Sequence, residues 1–250
     1  TDGRTVNVVI GEDGDEPVFA IDDLLPHLSR KSQEEKRLSQ AIEGEKLILL
    51  FGSIPLTGQD RDPVKKGVLK LLKDRYDIEE EDFISAELEA VPAFRARDVG
   101  LDGSMIGAYG QDDRICGYTL LNAITECGEP DHCCLAIFTD KEEIGSEGNT
   151  AMKASFLNIF LYNVLDGLGV SSQEHTVKRI LFASKALSGD VNGALNPTYQ
   201  EVHERQNASY LGRGVCISKF TGHMGKVGAN DANAEYVAEI RTLFNRKGIL

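Results

Sequence analysis

The chain has 250 residues, of which 41% are hydrophobic, and this is enough apolar material for one or two domains with a buried core. Its formal net charge of −13 disfavours nucleic acid and anionic membrane surfaces as partners, because both attract basic protein surfaces. No apolar stretch approaches the roughly 18 residues that a membrane-spanning helix needs, so we expect a globular protein that does not enter a membrane.

The first 82 residues predict a small α/β unit without a group of clustered carboxylates. Asp62 is a predicted N-cap, with Pro63 at the first helical position, and a capping-box pattern opens another helix at Ser32. From the residues alone we interpret this unit as structural. Its strands are expected at residues 5–10 and 47–51, and its helices at residues 32–42 and 63–75.

After an acidic linker at residues 79–82, the pattern becomes that of a second domain. Apolar and polar residues alternate over residues 84–90, which predicts a half-exposed strand. A glycine-rich loop then delivers Asp112 and Asp113 to the start of a helical pattern. Asp113 can cap that helix and therefore needs no catalytic role.

Residues 133–138 form a near-continuous apolar run, which predicts a strand buried on both faces of a sheet. The chain then breaks directly into the adjacent carboxylates Glu142 and Glu143. An isolated pair of glutamates is usually solvated surface, but loops that leave buried strands are where α/β enzymes place their sites. The position therefore favours a chemical role for the pair.

The rest of the chain predicts three further elements. An amphipathic helix is expected at residues 152–165, and a strand at residues 176–185 leads to Asp190. Residues 216–231 contain three glycines together with lysines and a histidine, which by default indicates a mobile hairpin loop. Asp231 is the predicted cap of a final helix that ends at Gly248.

Carboxylates thus occur at the ends of several separate elements without an equal number of basic neighbours. Carboxylates that converge would repel one another unless a cation lies between them. This pattern favours a site for a hard or borderline divalent cation over salt bridging. The carboxylates concerned are Asp112, Glu142, Glu143 and Asp190.

The five cysteines are odd in number, and several lie in apolar stretches. Buried free thiols in a reducing compartment explain this usage best, so we expect a cytoplasmic protein.

Four segments, in this order, resemble the aspartyl-aminopeptidase family of dinuclear zinc exopeptidases: YGQDDRICGYT, FTDKEEIGSEG, ALSGDVNGALNPTY and HERQNASYLGRGV. The resemblance implies a three-layer zinc-exopeptidase-like mixed sheet with helices on both faces. It also implies a smaller inserted α/β dimerisation domain. Residues 1–82 would be that inserted domain, residues 83–250 the metallopeptidase catalytic domain, and the whole protein a homo-oligomer of assembled dimers.

The resemblance also implies roles for individual residues. Asp112 would bridge two metal ions, with a cis peptide bond after it, and Glu142 would be the general base. Glu143 would bind one ion and Asp190 the other. The implied cofactor is two divalent ions per subunit, Zn²⁺ first, with Co²⁺ or Mn²⁺ as alternatives.

Three more residues receive roles at the substrate. The resemblance implies that His27 reaches the active site of a neighbouring subunit and stabilises the tetrahedral oxyanion there. Lys219 matches a position that contacts an acidic side chain at the first residue of a peptide substrate. His223 is a candidate pocket residue without a family role, or else part of the hairpin loop, and a surface or core role is the alternative for His27.

The family also uses two histidines at positions that this chain does not contain, so we expect a partial chain. The implied activity is removal of an N-terminal residue, acidic by family preference, from peptides. Two alternatives stay open: a metal-poor, inactive scaffold, and a neutral aminopeptidase or deacylase on the same fold.

Overall fold

The computed structural model describes residues 3–219 and 231–249 of the chain. Its contacts divide the chain into two units, Thr1–Tyr109 and Gly110–Leu250. The first unit thus includes residues 83–109, which the sequence assigns to the second domain. The division of the chain into an inserted and a catalytic domain at residue 82 stays a prediction.

The first unit contains two small antiparallel sheets. Strand β1 (Ala20–Ile21) pairs with β2 (Leu49–Leu50), so that Ala20 lies opposite Leu50. Strand β3 (Arg97–Val99) pairs with β4 (Met105–Gly107). The strand expected at residues 47–51 is therefore present in part, whereas residues 5–10 and 84–90 belong to no strand, and those two predictions were wrong.

Helix α3 (Pro63–Tyr76) confirms the proline-initiated helix of the first unit. Ion pairs between Lys70 and Asp74 and between Lys73 and Asp77 lie one turn apart along it, which is the spacing that supports a helix. The other helical segments of this unit are short: α1 (Pro26–Ser29), a π-turn (Arg30–Glu34), α2 (Leu38–Ala41) and the 3-10 turns Gly44–Lys46 and Glu80–Ile84.

The helix predicted at residues 32–42 is broken into two of these short segments, and the hydrogen bonds explain why. The Ser29 hydroxyl donates to Glu34 Oε1 at 2.6 Å, while the Ser32 hydroxyl donates back to the Ser29 carbonyl at 3.1 Å. Ser32 is therefore occupied within the preceding turn and does not cap a new helix.

The described residues of the second unit include four longer helices: α4 (Gln111–Glu126), α5 (Phe156–Gly167), α6 (Glu174–Ala183) and α7 (Ala234–Lys247). Two 3-10 turns (Glu142–Ile144 and Gln200–Val202) lie between them. A small core forms where Leu161 and Leu165 of α5 meet Val177 of α6. The apolar stripe predicted for residues 152–165 is confirmed as core at these two leucines.

The strand predicted at residues 176–185 is wrong, because residues 176–183 lie in helix α6. Its apolar run contains β-branched residues and resembles a strand. However, Val177 is directed into the core against α5, and Lys178 pairs with Glu174 at helical spacing, 2.7 Å apart. Packing on α5 therefore decides the conformation over the local β preference.

Residues 133–138 are not assigned to a strand within the described part of the chain, although they are apolar as predicted. Leu135 and Phe138 are 45% and 53% exposed, so this run is not covered on both faces here. The combination of helices and small sheets fits the α/β class. The three-layer mixed sheet stays a prediction, because the sheets of the described residues are the two pairs β1–β2 and β3–β4.

None of the helices in residues 3–219 and 231–249 is both long and apolar enough to cross a membrane.

Candidate metal centre

The start of helix α4 presents two neighbouring carboxylates. Gly110 precedes the helix with a positive φ of 69°, a turn that glycine makes without steric cost. Asp112 and Asp113 follow with dihedrals that are not helical, and the peptide bond between them is cis, as the family resemblance implies. Both side chains are exposed. The regular helix thus begins after them and leaves their carboxylates at its N-terminal end.

Asp190 reaches the same place from a distant part of the chain. It lies in the segment that follows α6. The residue before it, Gly189, packs against α4. A Cβ atom at Gly189 would be 3.3 Å from Cys116 Cβ and 3.4 Å from Leu120 Cδ1. The backbone therefore approaches the helix more closely than a residue with a side chain would easily allow.

One carboxylate oxygen from each of Asp112, Asp113 and Asp190 lies within 4.8 Å of the other two. Oxygens that bind the same or neighbouring zinc ions, at about 2.0–2.2 Å from the metal, have to be this close. Without a cation the three negative charges would repel one another. The donor set therefore fits a divalent ion such as Zn²⁺, which accepts carboxylate oxygens.

The negative charge of this cluster affects the pKa of the Cys116 thiol. Its pKa is raised to about 11, mainly by burial, then by its hydrogen bond to Asp113 and by the charges of Asp113, Asp190 and Asp112. The thiol is therefore protonated at neutral pH and donates to the Asp113 carboxylate. Cys116 thus contacts Asp113 on its own helix and the Gly189 backbone on the other segment.

The predicted pair Glu142 and Glu143 lies on the 3-10 turn Glu142–Ile144 and is exposed. The surrounding loop is closed by its own hydrogen bonds: Asp140 N donates to the Thr150 carbonyl at 3.2 Å, and Ser146 N to the Lys141 carbonyl at 2.8 Å. Lys141 precedes the turn at a φ of 62°. Local geometry thus holds the two glutamates on a defined turn after the apolar run.

Among the described residues, the group of converging carboxylates includes Asp113 and does not include Glu142 or Glu143. Asp112 and Asp190 are therefore brought together as the sequence predicts. Asp113, interpreted from the sequence as a helix cap, joins them. The roles of Glu142 as base and Glu143 as ligand stay predictions.

The three substrate candidates are His27, Lys219 and His223. His27 is exposed on α1 in the first unit. Lys219 forms an ion pair with Asp231, and its carbonyl accepts a hydrogen bond from Ala232 N at 2.7 Å. His223 lies outside the described residues. The cap of α7 is Asn233, whose side chain accepts from Tyr236 N at 2.9 Å, so the prediction of Asp231 as this cap was wrong.

Residues 3–247 match the family model described as "Aminopeptidase I zinc metalloprotease (M18)". The chain belongs to the M18 family. This confirms the family that the four sequence segments resemble, and zinc in the family description agrees with a carboxylate donor set.

Curated and solved members of the M18 family match the whole chain. "Probable M18 family aminopeptidase 1" of Thermotoga maritima is 47% identical over 249 residues, which cover 100% of this chain and 54% of that relative. A protein of the same name from Clostridium acetobutylicum is 46% identical over 99% of this chain and 53% of its own length. The chain thus spans about half the length of these relatives.

Crystal structures of this family have the same fold. The structure of the M18 aminopeptidase from Thermotoga maritima has a TM-score of 0.90 at 47% identity, over 99% of this chain and 54% of that one. That of aminopeptidase I from Clostridium acetobutylicum has a TM-score of 0.84 at 46% identity, over 98% and 52%.

Proposed function

We propose that this chain supplies metal-binding and catalytic residues to a zinc aminopeptidase, an enzyme that hydrolyses the N-terminal residue from peptides. The observation that carries the proposal is the convergence of Asp112, Asp113 and Asp190, whose carboxylate oxygens lie within 4.8 Å of one another. Membership in the M18 family gives this cluster its chemical context.

In this proposal Asp112, Glu143 and Asp190 hold two divalent ions, Zn²⁺ first and Co²⁺ or Mn²⁺ as alternatives. Asp112 would contribute carboxylate oxygens to both ions, since each carboxylate has two. Bound ions of this kind supply Lewis acidity and lower the pKa of water. Asp113 is close enough to Asp112 and Asp190 to add a fourth carboxylate, or to hold Cys116 and so fix the start of α4.

Glu142 acts as the general base in this scheme. Its carboxylate accepts the proton of the attacking water and then delivers it to the nitrogen of the departing peptide as the amide bond breaks. The turn Glu142–Ile144 supports this role, because a group that transfers protons has to be held in a defined position on a closed loop.

The substrate is a peptide with a free α-amine, and an acidic first residue is the preferred one. Lys219 would contact that acidic side chain, with His223 in the same pocket, and His27 of a neighbouring subunit would donate to the developing oxyanion. This arrangement requires a homo-oligomer, in which residues 1–82 form the inserted dimerisation domain and residues 83–250 the three-layer catalytic domain.

The experiment compares Glu142→Gln with the matched control Glu129→Gln, which changes an exposed glutamate that this proposal gives no role. Hydrolysis of peptides that begin with Asp, Glu or Leu, and of N-acylated residues, is measured together with bound zinc. We expect Glu142→Gln to lower the turnover number by at least roughly 100-fold, because general-base catalysis contributes about that much or more. Its zinc content should equal that of the control.

Several outcomes would change the proposal. Full activity of Glu142→Gln would remove the general-base role. Preferred hydrolysis of the Leu-peptide would replace the acidic specificity with that of a neutral aminopeptidase, and cleavage of N-acylated residues alone would indicate a deacylase. Wild-type protein that neither binds zinc nor cleaves any of these substrates would be the metal-poor scaffold.

A further inference from the structure

Gly189 lies close to helix α4, and its backbone conformation does not explain why this residue is a glycine. Its φ does not lie in the left-handed region, so another residue could adopt the same dihedral angles. The constraint is steric: an added Cβ would lie 3.3 Å from Cys116 Cβ, and 3.4 Å and 3.9 Å from Leu120 Cδ1 and Cγ. Glycine therefore allows the segment to lie directly on the helix.

Both partners of this contact are close in sequence to residues of the carboxylate cluster. Gly189 is the residue before Asp190, and Cys116 lies one helical turn after Asp112 and Asp113. The separation of the two backbones at Gly189 therefore determines how far the Asp190 carboxylate lies from the other two. A shift of a few tenths of an ångström at this contact passes directly to the cluster, because packed backbone and Cβ atoms do not compress.

We infer that Gly189 is a positioning residue for the metal site: its lack of a side chain lets the segment pack on Cys116 and Leu120 and so sets the distance of Asp190 from Asp112 and Asp113. This inference rests on the proposed function, since it assumes that these carboxylates hold a metal. It assigns Gly189 no contact with metal or substrate.

The test is the affinity of the purified protein for Co²⁺, titrated alone and followed by its visible absorption, for wild type and Gly189→Ala. Gly193→Ala is the matched control, because it adds the same methyl group three residues after Asp190, where nothing lies within 4 Å. We expect the affinity of Gly189→Ala to fall roughly tenfold, as for changes that support metal ligands indirectly. Gly193→Ala should bind as wild type does.

Two variants of Leu120 separate positioning from a general loss of folding. Leu120→Ala removes the contact at 3.4 Å, so the double variant Gly189→Ala/Leu120→Ala should recover part of the lost affinity. Leu120→Phe crowds Gly189 from the helix side and should weaken Co²⁺ binding while Gly189 is unchanged. The far-ultraviolet circular dichroism of the metal-free proteins provides the measure of folding.

The results distinguish this inference from the proposed function. Wild-type protein that binds no Co²⁺ would overturn the proposed function and this inference with it. Wild-type binding that is unchanged in both Gly189→Ala and Leu120→Phe would overturn the inference alone. If Gly189→Ala does not fold, Leu120→Phe decides: folded protein with wild-type affinity overturns the inference, and weaker binding supports it.

Discussion

At the scale of single residues, the environment of Cys116 connects the carboxylate cluster to measurable chemistry. Burial, the hydrogen bond to Asp113 and the nearby negative charges raise the pKa of this thiol from 9.0 to about 11. Only the thiolate is nucleophilic, so at pH 8 the reactive fraction is roughly 100-fold smaller than for a thiol with the ordinary value. Alkylation by iodoacetamide should therefore modify Cys116 far more slowly than the exposed Cys127.

The measurement is residue-resolved mass spectrometry over a time course of alkylation, with Asp113→Asn as the informative variant. Removal of the Asp113 charge should lower the pKa of Cys116 and speed its modification. The metal-free protein is used, so that a bound cation does not offset the carboxylates. Equal rates for Cys116 and Cys127 in the wild type would contradict the described surroundings of the thiol.

The sequence anticipates part of the cluster at this scale. Asp112 stands out because it follows a glycine-rich loop at the start of a helical pattern, and Asp190 because it follows an apolar run. The structure brings the two residues together. Asp113 was not predicted to join them, because a cap at the start of α4 is a sufficient local explanation for an aspartate. The contact of Gly189 with Cys116 joins residues far apart in sequence, and no local pattern encodes such a pair.

At the scale of elements, the N-terminus of α7 gives a direct comparison between two capping residues. Asn233 accepts a hydrogen bond from Tyr236 N, whereas Asp231 pairs with Lys219. Asn233→Ala should therefore lower the free energy of unfolding by about 1 kcal/mol, the usual contribution of an N-cap. Asp231→Ala should cost less, since exposed ion pairs contribute about 0–1 kcal/mol.

Urea unfolding followed by circular dichroism measures both variants. A greater loss of stability for Asp231→Ala than for Asn233→Ala would show that the cap is Asp231 after all.

Several helices with distinct start or stop signals were predictable, although the capping-box pattern at Ser32 did not produce the helix expected there. Helix α3 begins at Pro63, α4 follows a glycine-rich loop, and α7 ends at Gly248 in the left-handed conformation. In contrast, the apolar run of α6 resembles a strand locally, and only the packing of Val177 on α5 makes it helical. Residues 133–138 have the composition of a buried strand, but pairing depends on partners that composition does not reveal.

For the molecule as a whole, the match to M18 sequences and structures establishes the family, and the layered architecture stays a prediction. The match to M18 structures extends over nearly all of this chain and about half of each relative. The α/β class follows from the alternation of apolar patterns along the sequence. The three-layer sheet, the inserted domain and the homo-oligomer stay predictions from the family resemblance, because they depend on long-range pairing that a local pattern cannot specify.

Asp112 and Asp190 are proposed to bind metal beside Asp113, and the zinc content of the protein tests this proposal. Protein freed of metal, reloaded with Zn²⁺ and desalted is measured by elemental analysis for wild type, Asp190→Asn and the control Asp131→Asn, an exposed loop aspartate outside the cluster. We expect zinc in wild type and in Asp131→Asn, with a clear loss in Asp190→Asn, since an amide cannot replace the carboxylate charge. Equal zinc content in all three proteins, or none in wild type, would contradict the account.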